Sequence, residues 1–71
     1  MKLSMLKRQI TRYKNDAARY KHKADMAWAK YKSSGDQEEY LRSQYYYEQQ
    51  KKVEGYVETY EAMLRNGEYE E

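Results

Sequence analysis

The sequence predicts an all-α fold, an antiparallel two-helix hairpin of coiled-coil type, and three observations carry the prediction. Proline is absent and glycine occurs only at Gly35, Gly55 and Gly67, so few points force a helix to stop. Two long segments carry apolar residues at spacings that alternate three and four. One short stretch between them, Ser33-Ser34-Gly35-Asp36, is rich in turn and capping residues.

The first helix is expected over about residues 3–32. Leu3, Leu6, Ile10, Tyr13, Ala17, Tyr20, Ala24, Ala27 and Tyr31 keep the alternation unbroken, which is the pattern of a coiled-coil seam. The turn falls at 33–36. Gly35 suits the left-handed residue that ends a helix, and Asp36 suits the cap that begins the next. Glu39, three residues on, completes a capping box, and Glu38 adds negative charge where the helix dipole favours it. The second helix is expected over about 37–65, with Ser43, Tyr46, Gln50, Val53, Val57, Tyr60 and Leu64 as its seam, weakened at Ser43 and Gln50. Gly55 has no turn residues beside it and reads as mid-helix, at a cost of about 1 kcal/mol relative to alanine. Arg65-Asn66-Gly67 ends the helix and leaves residues 66–71 as a frayed acidic tail.

The two seams match. In an antiparallel pair, facing positions add to a constant, here about 70, which sets Ala27 against Ser43, Ala24 against Tyr46, Ala17 against Val53 and Leu6 against Leu64. Several large residues then meet small ones. One flank would bring Lys7 to Glu61, Lys14 to Glu54, Lys21 to Tyr47 and Trp28 to Tyr40, giving ion pairs, a cation–π contact and an aromatic pair.

Composition narrows the function. A single domain of 71 residues with no cysteine and one histidine has no disulfide framework and too few ligands for a thiolate or imidazole zinc site. His22 lacks a catalytic partner at useful spacing, and Glu54, Glu58 and Glu61 lack the histidine of a carboxylate-bridged metal site. There is no phosphate loop, nucleophile elbow or dinucleotide fingerprint. No catalytic role, cofactor, metal or small-molecule substrate is therefore expected. The longest hydrophobic run is the four residues from Met26 to Ala29, so a soluble, cytoplasmic protein is expected, and the narrow, alanine-rich stripe of the first helix argues against a membrane surface.

Two helices about 45 Å long would bury one thin seam, which is little to set against the ordering entropy of the chain. Leu41, Tyr45, Tyr56 and Met63 form a further stripe on the second helix whose neighbours in the first are polar. A homodimer that completes a four-helix bundle would cover it. Ten tyrosines are the most unusual feature of the composition. Tyr13, Tyr20, Tyr31, Tyr46 and Tyr60 fall in the seams and are expected in the core, while Tyr40, Tyr45, Tyr47 and Tyr56 are left to contact a partner.

The expected function is a small protein-interaction module, an adaptor or inhibitor, acting through Leu41, Tyr45, Tyr56, Met63, Tyr40 and Tyr47 and through charge-divided helices. Residues 1–32 carry a net charge of +8 and residues 36–71 a net charge of −6. The alternative is a nucleic-acid-binding dimer that uses Arg8, Arg12, Arg19, Lys23 and Lys30 on the outer face of the first helix. In size and composition the chain is also similar to accessory products of bacteriophages and other mobile elements, some of which inhibit a host protein.

Overall fold

A computed structural model describes all 71 residues. The protein is all-helical: α1 spans Leu3–Ser34, α2 spans Gln37–Arg65, and the two pack against each other in a rod of 52 × 14 × 13 Å. Neither helix is long and apolar enough to cross a membrane.

The turn consists of two residues. Gly35 sits at φ +72°, and its N–H donates to the Tyr31 carbonyl at 2.7 Å, closing α1 with a left-handed residue where a Cβ would be strained. Asp36 caps α2, its Oδ1 accepting from the Glu38 N–H at 2.9 Å. The capping box expected from Glu39 does not close. Ser34 Oγ already takes the Asp36 N–H at 3.2 Å, so the Glu39 carboxylate turns the other way and accepts from Arg42 at 2.9 Å. A two-residue turn brings the last hydroxyl of α1 to that N–H before any glutamate can reach it.

The core is one layer thick. Leu6, Ile10, Ala24, Ala27 and Val53 are buried with Ser43, all of them seam positions. Ser43 was expected to interrupt the seam but serves as one of its small residues, fully covered, with its hydroxyl donating to the Tyr40 carbonyl at 2.7 Å. The seam tyrosines are only half-buried. A two-helix layer covers a large ring from one side and leaves its edge and hydroxyl in water.

Register follows the expected pairing, with long side chains meeting across offsets of up to about one turn. Trp28 and Tyr31 both pack on Tyr40, at centroid distances of 6.2 and 5.2 Å. Tyr13 stacks on Tyr60 at 5.7 Å with an interplanar angle of 4°, so here two large residues meet instead of a large and a small one. Helical side chains lean toward their own N-terminus, and in an antiparallel pair that lean closes the gap between residues about one turn apart in level. The same lean corrects two expected flank contacts. Lys14 pairs with Glu61 at 3.2 Å in place of Glu54, leaving Lys7 without that partner, and the Tyr47 hydroxyl donates to Asp25 at 2.8 Å, so Tyr47 does not take Lys21 as a cation–π partner.

The tail also departs from expectation. Asn66 to Glu68 close α2 in a Schellman arrangement, with the Gly67 N–H on the Leu64 carbonyl at 3.3 Å and the Glu68 N–H on the Met63 carbonyl at 2.9 Å. The chain then runs beside residues 1–3, where the Glu70 N–H donates to Met1 O at 2.8 Å and the Leu3 N–H donates to Glu70 O at 2.7 Å. An N–H of the first turn of α1, which has no partner within its own helix, supplies the reason.

Candidate interaction surface

Helical periodicity sorts the residues beside the seam into two long sides. The first is closed by contacts within the chain: Lys14 with Glu61, Tyr47 with Asp25, and Trp28 with Tyr40. A shallow cleft of about 290 Å³ lies there, lined by Lys14, Ala17, Glu54, Val57 and Glu58. It forms where the alanine at 17 leaves space in the seam. A second open cavity, about 510 Å³, lies at the free end between Lys2, Leu3, Ser4, Lys7 and Glu71. No group of three or more His, Asp or Glu side chains converges anywhere.

The second side is open and apolar. Met5 and Met26 of α1 and Tyr45 and Tyr56 of α2 fall on it by heptad position, with Leu41 at its margin, and they are 42 to 64% exposed. Met63 lies in the same row, half-buried. Two aromatic strings mark this side directly. Tyr56 meets Tyr13 across the helices at 5.4 Å, and Tyr45 meets Tyr46, which in turn lies 6.3 Å from Tyr20. Cations lie over both strings, Arg12 above the Tyr13 ring at 6.0 Å and Lys23 above the Tyr46 ring at 5.6 Å.

The six residues singled out as a protein interface therefore divide. Leu41, Tyr45, Tyr56 and Met63 share the open side. Tyr40 and Tyr47 lie on the closed side and are engaged, Tyr40 between Trp28 and Tyr31 and Tyr47 on Asp25. That hydrogen bond, with desolvation and the charge of Asp25 adding to it, raises the Tyr47 pKa above the ordinary value of 10.0. Met5 and Met26 are the residues sequence reasoning missed. Their spacing of three heptads sets them on one line, a signal that is readable once the open side is known.

The proposed nucleic-acid residues, Arg8, Arg12, Arg19, Lys23 and Lys30, are all exposed on α1. Arg19 is tied to Asp16, and Arg12 and Lys23 are laid over tyrosines. His22 is an exposed residue on the outer face. Compared with protein-family models, curated proteins and solved structures, the chain has no match.

Proposed function

We propose that the hairpin is a non-enzymatic protein-interaction module whose contact surface is the open side of the rod. The observation that carries the reading is the gathering of Met5, Met26, Leu41, Tyr45 and Tyr56 on that side, while the opposite side is stitched by its own ion pair, a hydrogen bond and an aromatic contact. Scattered single apolar residues need no explanation, but a shared row of large ones marks a site of contact. Tyrosines held by neighbouring rings offer contact area at little entropic cost. Adaptor and inhibitor, including an inhibitor encoded by a mobile element, are both served by such a surface.

The test is capture of a partner from a lysate by wild type, Tyr45→Ala and Tyr56→Ala in parallel. The expected result is a protein retained by wild type and lost with both variants at unchanged helicity. Equal capture by all three counts against the open side.

A second reading, favoured by the single thin core layer, is pairing of two copies through this side into a four-helix bundle. Sedimentation of wild type beside the Tyr56→Glu, Met63→Lys double variant checks it: a wild-type dimer that the double variant converts to monomer supports the bundle.

A further inference from the structure

The open side is also predominantly cationic, its one carboxylate without an ion pair, Glu38, lying at the turn end in the heptad row of Tyr45 and Lys52. Arg12, Lys23, Lys30 and Lys52 are exposed there, and none has a carboxylate within ion-pairing distance. The carboxylate of the α1 row on this side, Asp16, is already taken by Arg19. Two of the free cations lie over tyrosines, Arg12 on Tyr13 and Lys23 on Tyr46, contacts that bias them toward this side before any partner arrives. Met5 and Met63 stand toward one end of this side and Met26, Leu41 and Tyr45 toward the other, with Arg12, Lys23 and Lys52 beside Tyr56 between them and Lys30 at the turn end. From Met5 to Met26 is about 30 Å at 1.5 Å per residue.

We infer that the partner fitting this surface is an acidic amphipathic helix of about 20 residues on another protein, laid along the rod to make a third helix. This rests on the interaction-module reading and adds the chemistry of the partner. Apolar residues at helical spacing cover Met5, Met26, Leu41 and Tyr45, and glutamates or aspartates on its flanks meet the free cations. A second copy fits less well. A two-fold interface is self-complementary, and face-to-face pairing about an axis through the middle of this side brings its cations near those of the second copy, where the one nearby carboxylate, Asp16, is already paired with Arg19. Nucleic acid would satisfy the cations but offers phosphates, sugars and bases where exposed methionine and leucine call for aliphatic side chains.

The test uses the full chain and two designed peptides of about 20 residues, one with leucines at helical spacing on a glutamate background, the other identical but with lysine for every glutamate. A single-stranded oligonucleotide and phosphatidylserine vesicles serve as comparators. The acidic peptide is expected to bind with a Kd below about 100 µM and to gain helicity on binding, and the lysine peptide is not. Lys23→Glu with Lys52→Glu, both exposed and checked for unchanged helicity, should weaken the acidic peptide by about tenfold or more and admit the lysine peptide. Failure of the acidic peptide to bind, tighter binding of the oligonucleotide or vesicles, or a wild-type dimer that excludes the peptide each overturns the inference. If Tyr45→Ala and Tyr56→Ala abolish capture of a native partner while the acidic peptide fails, the interaction module stands and the acidic helix falls; if capture is unaffected as well, both fall.

Discussion

A phenol that donates to a carboxylate gives up its proton reluctantly, and Tyr47 is placed to show it. Because its folded pKa lies above 10.0, the folded state holds that proton more firmly than the unfolded chain does. The stabilisation is therefore complete below pH about 10 and is lost as pH rises through the folded value. In an alkaline titration followed by tyrosinate absorbance, Tyr47→Phe should remove the latest part of the curve; an unchanged late step would place that ionisation elsewhere. Pairing by level alone set Tyr47 against Lys21, whereas Asp25, 22 positions away, is reached only through the lean of two side chains across the pair. Ser43 has the same lesson. Its burial was unreadable from polarity, because a serine that returns its hydroxyl to the carbonyl three residues back is as compact as an alanine.

At the scale of the element, both helices were legible. Absence of proline, alternation of three and four, and a glycine–aspartate turn are local properties of the chain, and they suffice to place α1 and α2 and the break between them. Gly55 offers the sharpest test at this scale. It lies within α2, is exposed, and a Cβ built on it would meet nothing within 4 Å. Gly55→Ala should therefore stabilise the fold by about 1 kcal/mol in chemical denaturation, by restricting the unfolded chain and favouring the helix. A loss of stability would mean that the position is closed in solution by a contact, as in an assembly. The capping box was the element-level misreading. Its motif is necessary for the reciprocal bond but does not exclude a competing donor or acceptor, and Ser34 is that competitor.

The molecule as a whole is a rod closed at both ends. One end is the covalent turn, and the other is the pairing of residue 70 with the chain around residues 1–3. A chain ending at Glu68 keeps the Schellman closure of α2 but loses that pairing. Hydrogen exchange at the Leu3 amide should then become faster, with a stability loss of about 1 kcal/mol or less for two hydrogen bonds at an open end. Unchanged protection at Leu3 would show that the pairing does not hold in solution.

Pattern alone settled the helices, the turn and the pairing of their seams, because each depends on periodicity and on residues adjacent in the chain. Which long side chains meet across the pair, which tyrosines remain free, and the fact that exposed methionines, tyrosines and unpaired cations share one side came only with the packed hairpin. Those properties depend on the direction in which side chains lean and on residues tens of positions apart, and neither is fixed until two helices lie against each other.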